Sequence, residues 1–237
     1  VSGPVIPSLG DKLTFNVSVR NNKSDGYLYG VREHRPSDFA YFPPSGDWYI
    51  QMSGDSSYVP MNPSESNNFL SKFTWRVSPR IKISTQSIMS KSQRKSYSHV
   101  YKYNPDGITT GYTENNNHSL QVNHSLSPKT FYEGNIFISD TDYKNYLYAD
   151  TLDERYVNTD YINTEPTSAT FLFGGTQMGH TYRNSKSIGG KFDFTTQISE
   201  NHEIKTGFSF RNDNLVERNL QVLYDQNYIE PTVLLEN

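Results

Sequence analysis

Cysteine is absent from the 237 residues, which excludes disulfide scaffolds, thiol chemistry and cysteine-based zinc sites. An excess of either charge is also lacking. The 22 basic and 25 acidic side chains leave a net charge of −3, and no basic patch stands out, so nucleic-acid binding is not expected. No stretch approaches the ~18 apolar residues of a transmembrane helix, which says nothing against a β-barrel. No helical period of 3.6 competes anywhere in the chain. Hydrophobic residues reach only 34%, few for a soluble globular domain. The N-terminus has no Met, basic region or apolar core, so a signal peptide is expected to be missing or removed and both ends read as cuts.

What is present is aromatic. Aromatics make up 14%, with Tyr 18 and Phe 13, and a disordered chain would be poor in rings. The rings fall into period-two patterns. Leu13, Phe15, Val17 and Val19 alternate with Thr14, Asn16 and Ser18, and Phe69, Phe73, Trp75 and Val77 with Lys72, Thr74 and Arg76. Ile81, Ile83, Thr85 and Met89 oppose Lys82, Ser84 and Gln86, and Leu120, Val122, His124 and Leu126 face away from Gln121 and Asn123. Tyr132, Gly134, Ile136 and Ile138 lie opposite Phe131, Glu133, Asn135 and Phe137. Gly190, Phe192, Phe194, Thr196 and Ile198, then Ile204, Thr206, Phe208 and Phe210, complete the set. These patterns predict about seven strands of roughly nine or ten residues, plus a strand end near Val1. Lys72, Arg76, Lys82, Lys191, Asp193, Glu203 and Lys205 all occupy the polar register, with Glu133 opposite the Tyr132 face. No charge enters an apolar register, the segregation a lipid-facing wall requires, since a mid-membrane charge costs ~2–4 kcal/mol.

Connection lengths alternate as well. Short turns at Ser78–Arg80, Ser127–Lys129, Ser199–Asn201 and Pro7–Asp11 are expected to alternate with long stretches over 21–67, 91–116, 139–186 and from 212 onward. Loops beyond ~12–15 residues are uncommon in compact soluble domains, whereas short turns at one end and long loops at the other are the pattern of outer-membrane barrels. The expected fold is all-β: an antiparallel meander of long strands, one incomplete segment of a large transmembrane β-barrel, occupying 1–237 as a single partial domain. The turn segments Ser78-Pro79-Arg80 and Ser127-Pro128-Lys129 make the hairpins a loose internal repeat without fixed period.

Candidate chemistry is sparse. Six histidines (His34, His99, His118, His124, His180 and His202) show no HxH or HExxH spacing, so solvated histidines are preferred to a metal site. Asp140, Asp142, Asp150, Asp153 and Glu154 surround Tyr143 to Tyr148 without the order of a calcium loop and read as a solvated loop. No G-x-S-x-G elbow occurs. Asp193 and Glu203 invite a glycosidase reading, but Lys191 and Lys205 flank them, and cross-strand ion pairing is expected instead. No cofactor and no enzymatic activity are expected. The binding candidates are Tyr27, Tyr29, Trp48, Tyr49 and Tyr58, whose rings crowd the first long loop and could stack on a sugar, siderophore or peptide. The competing reading of the same rings is an interfacial girdle or loop self-packing.

Several segments resemble the barrel of TonB-dependent outer-membrane transporters, in the branch whose plug follows a carboxypeptidase-regulatory-like domain. They are Ser2-Gly3-Pro4-Val5 with Gly10-Asp11-Lys12-Leu13-Thr14-Phe15, Ser57-Tyr58-Val59-Pro60-Met61-Asn62-Pro63, and Leu126-Ser127-Pro128-Lys129-Thr130-Phe131-Tyr132-Glu133. Phe192-Asp193-Phe194 with Gln197 and Asn201-His202-Glu203-Ile204-Lys205-Thr206-Gly207 complete the resemblance. It implies the first third of a barrel of ~22 strands around a plugged lumen, in the outer membrane of a Gram-negative bacterium. Plug, TonB box and a C-terminal aromatic strand are absent from this sequence, which alone would not transport. The implied partners are outer-membrane lipid, the TonB complex acting through the plug, and an imported ligand, with energy from the inner-membrane proton-motive force. Two rivals stay open. One is a soluble or surface-exposed β-sandwich binding glycans through its loop aromatics. The other is a complete eight-stranded barrel.

Overall fold

Alternation builds strands because successive side chains leave a pleated backbone on opposite faces. The computed structural model describes residues 1–41, 46–47, 49–158, 171–224 and 231–236, with backbone alone for Leu9, Tyr224 and 231–236. Its strands are β1 (Ser2–Pro4), β2 (Leu13–Ser24), β3 (Tyr29–Val31), β4 (Ala40–Tyr41), β5 (Tyr49–Ile50), β6 (Tyr58–Pro60), β7 (Ser64–Ser78), β8 (Ile81–Lys95), β9 (Thr110–Ser127), β10 (Thr130–Tyr146), β11 (Gly179–Ser199), β12 (His202–Tyr224) and β13 (Pro231–Glu236). One antiparallel sheet runs β1-β2-β7-β8-β9-β10-β11-β12-β13, while β3-β6 and β4-β5 form two small ribbons. The fold is all-β, a meander whose two end strands are not paired with each other. The only helical segments among the described residues are short 3-10 turns, including Pro7–Lys12 between β1 and β2.

The turns at one end are tight. Ser78 Oγ accepts the backbone N–H of Arg80 and of Ile81 at 3.2 and 3.1 Å, and Ser127 Oγ accepts that of Lys129 at 3.2 Å. Proline at the next position fixes φ for the turn. The repeated Ser-Pro-basic triplet is therefore a repeated physical device.

The long strands exceed the nine or ten residues expected, running from 12 residues in β2 to 23 in β12. The expected loops shorten accordingly to 25–63, 96–109 and 147–178, called L1, L2 and L3 below. The discrepancy has a simple cause. Beyond the apolar segment both faces carry Asn, Ser and Thr, so the contrast between faces vanishes while the hydrogen-bonded ladder continues. Asn115, for instance, donates to Ser90 Oγ at 3.0 Å and accepts from Thr141 Oγ1 at 2.9 Å.

Registers place the apolar side chains in rows on one face. One row runs Leu13, Trp75, Ile83, Val122, Gly134, Phe192, Phe208; the next runs Phe15, Phe73, Thr85, Leu120, Ile136, Gly190, Phe210. Four such rows, from Ile81–His124–Tyr132 to Val17–Ile138–Ile188, span ~20 Å along the strands. A fifth level is apolar only on β2, β7 and β8 (Val19, Phe69, Met89), because on β10 and β11 it holds Asp140 and Lys186, paired at 3.4 Å. Above them the same face turns polar, with Lys91, Glu114, Asp142 and Asn184 in one row. No second layer of described residues covers the apolar face: Ile136 and Ile138 are each 55% exposed and Phe208 65%.

Two adjacent glycines sit under rings on opposite faces. A Cβ at Gly189 would lie 2.6 Å from the Phe137 ring and 2.9 Å from the Phe210 carbonyl oxygen, and one at Gly190 would lie 2.7 Å from the Phe210 ring. Gly189→Val is expected to destabilise the protein by about 1–3 kcal/mol through overpacking. Chemical unfolding of the single variant and of its combination with Phe137→Ala tests this, because removing the ring should recover part of the loss.

Candidate functional site

The large, fully buried side chains gather at the loop end of the sheet. The largest fully buried ones are Tyr156, Met61, Ile108, His180, Val222, Asn104, Asp38 and Pro105. L1, L2 and L3 are tied to one another by backbone hydrogen bonds. Val31 and His34 N–H donate to the carbonyls of Lys102 and Tyr103 at 2.9 Å, Gly175 to Pro36 at 2.7 Å, Leu172 to Val100 at 2.7 Å and Gln177 to Gly107 at 2.8 Å. Met61, Tyr101 and Ile108 form a small core with Tyr97 and Leu172 against it. Gly30 and Gly107 permit the close approach, since a Cβ at either would lie 2.5–2.6 Å from a carbonyl oxygen of the neighbouring loop.

Polar locks complete this cap. The Arg32 guanidinium donates twice to Asp106, at 2.5 and 3.2 Å, and also reaches Asp55 at 3.1 Å and Ser57 Oγ at 2.7 Å. Hydrogen bonds from Ser57 hold the exposed Asp55 carboxyl down at about 2. Asp38, 1% exposed, accepts the Ser53 hydroxyl, the Ser53 N–H at 2.8 Å and the Arg35 N–H at 3.1 Å. Burial pushes the Asp38 pKa up, but these hydrogen bonds outweigh it and leave it below the ordinary carboxylate value. His34 Nδ1–H donates to the Gln51 carbonyl at 2.7 Å, and its ring meets Phe173 edge-on at 5.4 Å.

Of the candidate binding residues, Tyr29 and Tyr58 lie on the β3–β6 ribbon, Tyr29 opposite Pro60 and Tyr58 opposite Val31. That places both on the ribbon face opposite Gly30, which packs against the cap core, and Tyr58 is 78% exposed. Tyr49 lies directly across from Tyr41 on the β4–β5 ribbon, with its ring 5.5 Å from Phe39. Tyr27 is exposed beside Asn62, whose Oδ1 accepts the Tyr27 N–H at 3.1 Å. Trp48 lies outside the described residues. Among the described residues the structure thus adds Phe39 and Tyr41 to Tyr49 as an exposed patch of three rings on the β4–β5 ribbon. The alternation Phe39-x-Tyr41 was the available signal, too short to be recognised inside a long loop.

A second aromatic group roots L3 in the sheet. His180, buried, accepts the Tyr182 hydroxyl at Nδ1 (3.0 Å) and donates Nε2–H to the Tyr156 oxygen (2.7 Å). Tyr156 in turn donates to the Tyr148 carbonyl at 3.0 Å and accepts the Tyr148 N–H at 3.1 Å. This chain uses the neutral imidazole. Burial lowers the His180 pKa below 6.5 and pushes the Tyr156 hydroxyl up to about 12. The unfolded chain takes up a proton near 6.5 that the folded site refuses. Cap stability is therefore complete above pH 6.5, falls as pH drops below it, and levels off once folded His180 is itself protonated. The loss is at most ~1.4 kcal/mol per pH unit in that window. A histidine NMR titration, with hydrogen exchange of the Tyr148 N–H as readout, checks this.

The remaining candidates have ordinary partners. Asn184 Nδ2 donates to both Asp140 and Asp142 at 2.9 and 2.8 Å, Asp150 accepts the Leu152 N–H, and Asp153 pairs with Arg155 at 2.7 Å. His118 contacts Ser87 Oγ at 2.9 Å and His124 the Tyr132 hydroxyl at 3.0 Å. The ion pairs of Asp193 and Glu203 run along their own strands, to Lys191 at 2.7 Å and Lys205 at 2.8 Å. The cross-strand pairing expected from sequence is corrected here: the register sets Asp193 opposite Glu133 and Gly207, so no cation faces it.

Among its described residues the cap is tied loop to loop, polar at its locks and aromatic at its exposed ribbons, an arrangement suited to stacking and hydrogen bonding. No family model, curated protein or solved structure matches this chain.

Proposed function

We propose that the chain forms part of the wall of an outer-membrane β-barrel, of the TonB-dependent transporter type that its motifs resemble. The observation that carries the reading is the uncovered apolar band. It occupies one face of a meander, runs ~20 Å along the strands, or ~27 Å on β2, β7 and β8, and ends in polar levels. With the 35–45° strand tilt of such barrels it is ~15–21 Å tall, against the ~25 Å of a lipid-facing band. Two-residue turns at one end and an ordered loop cap at the other fit periplasmic and external sides. A soluble sandwich would instead need a second sheet over Phe73, Leu120, Ile136 and Phe208. In this reading the protein binds its ligand at the cap and passes it unchanged through the lumen, with the plug and TonB supplying the gate.

Fractionation of the full-length protein tests the membrane assignment. Recovery in the outer-membrane fraction, with extraction only by detergent, is expected. A monomer soluble without detergent would sink the proposal. The exposed rings of Phe39, Tyr41 and Tyr49 are proposed as the ligand platform. Tyr41→Ala with Tyr49→Ala is expected to weaken binding of the growth-supporting ligand about tenfold, ~1.4 kcal/mol, with the melting temperature unchanged.

A further inference from the structure

The face opposite the apolar band has an uneven charge distribution. On β11 and β12 its cations are matched, with Arg183 against Glu217 at 2.9 Å, Lys191 against Asp193, Lys205 against Glu203 and Arg211 against Asp213 at 2.8 Å. On β2, β7 and β8 the same face carries Arg20, Lys72, Arg76, Lys82 and Arg94, all exposed, and no carboxylate. The one acidic residue in these three strands, Glu65, sits on the other face, in the row of Lys23 and Gln93. None of the five cations is in an ion pair among the described residues.

Their placement is regular. Arg76 lies directly opposite Lys82, Lys72 opposite Asn16 and Gln86, Arg20 opposite Asn68, and Arg94 opposite Ser64. Counted along β7 these levels are positions 76, 72, 68 and 64, so the cations recur about every 14 Å over ~40 Å of strand. The cation levels also hold Asn16, Gln86, Asn68 and Ser90, and between the levels stand Thr74 with Ser84, Leu70 with Ile88, and Ser66 with Ser92. Two like charges directly across a strand pair are unfavourable on their own; Arg76 also donates to the Asp11 carbonyl at 3.3 Å, and Glu133 shares this level two strands from Lys82. Each level is separated from the next by more than the ~8–10 Å screening length, so each acts as an independent station.

We infer that the polar face of β2, β7 and β8 is a lane of binding stations for an anionic solute bearing carboxylate or phosphate groups. Guanidinium and ammonium groups supply the charge, and the flanking amides and hydroxyls supply directed hydrogen bonds. The inference rests on the barrel reading, in which this face lines the lumen, and gives that lumen a ligand class.

Equilibrium binding of citrate and of inorganic tripolyphosphate to the full-length protein in detergent tests it. Binding of at least one probe is expected, weakening as salt is raised. It should fall at least tenfold in K72Q/R76Q/K82Q, recover in K72R/R76K/K82R, and change less than twofold in K191Q/D193N. The tighter probe identifies the carboxylate or the phosphate source. Binding of neither anion by the native protein, or equal binding by the triple glutamine variant, overturns the inference. Fractionation of the same preparation separates the two readings. A detergent-extracted outer-membrane protein that binds neither anion removes the lane alone. A protein soluble without detergent whose anion binding needs these cations removes the barrel and keeps the lane.

Discussion

If the proposed barrel assignment holds, Leu120→Arg is expected to destabilise the protein in a bilayer by about 2–4 kcal/mol, the range for a cation at the bilayer midplane. Gln121→Arg, one residue away, should change stability by less than ~0.5 kcal/mol, as surface substitutions do. Leu120 sits in the middle of the apolar rows, between Thr85 on β8 and Ile136 on β10. Its side chain is 39% exposed and has no covering layer among the described residues. In water an arginine at such a position would extend its head into solvent and lose little. In lipid the head has no such escape at mid-depth. The pair of variants therefore measures what covers this face. Reversible unfolding from liposomes, followed by Trp75 fluorescence, gives the two values. Equal, small effects would indicate water on both faces and overturn the lipid assignment.

Asp38→Ala is the second large effect, expected to cost the cap about 3 kcal/mol or more. Truncation leaves the Ser53 hydroxyl, the Ser53 N–H and the Arg35 N–H without their acceptor, and each donor so stranded costs up to ~1–3 kcal/mol, less where water reaches it. The damage should centre on L1 and reach L2 and L3 only through the hydrogen bonds that tie them to it. Faster proteolysis and hydrogen exchange between Arg32 and Ser57 are expected, with the β9–β10 ladder unaffected. Ligand binding should be lost as well, because the same segment carries Tyr41 and Tyr49. An intact, protected L1 in this variant would show that the three hydrogen bonds do not hold the loop. Since the Asp38 pKa is depressed, its contribution is present above ~3.8 and disappears as pH falls below that value.

The sequence made the seven long strands legible, and with them the tight turns. Alternation of Phe73 and Trp75 with Lys72 and Arg76 is legible because the two faces of the strand differ in polarity there. The Ser78-Pro79 and Ser127-Pro128 turns are readable because their chemistry is local. The polar continuation of β9 and β10 was not readable. Asn115, Asn117, Ser139 and Thr141 pair across the sheet, yet periodicity reports a difference between faces and here there is none. The cap was equally hidden, since Arg32 and Asp106 are 74 residues apart and no local rule joins them. Tyr49 could be singled out by its chemistry, but its neighbours Phe39 and Tyr41 are set by a ribbon register that only the folded loop reveals.

The polar continuation has a further consequence, for strand alignment. A strand with one buried face cannot slip by one residue without turning that face over, but a strand polar on both faces lacks this safeguard. In the upper halves of β8, β9 and β10, sliding would exchange Asn for Ser or Thr at little expense. Alignment there is imposed from the two ends: by the apolar rows below, and by the interlocked loops above, which fix where each strand begins and stops. The midsection is held like a fastened zip whose teeth are interchangeable, correct in phase only while both stops remain in place.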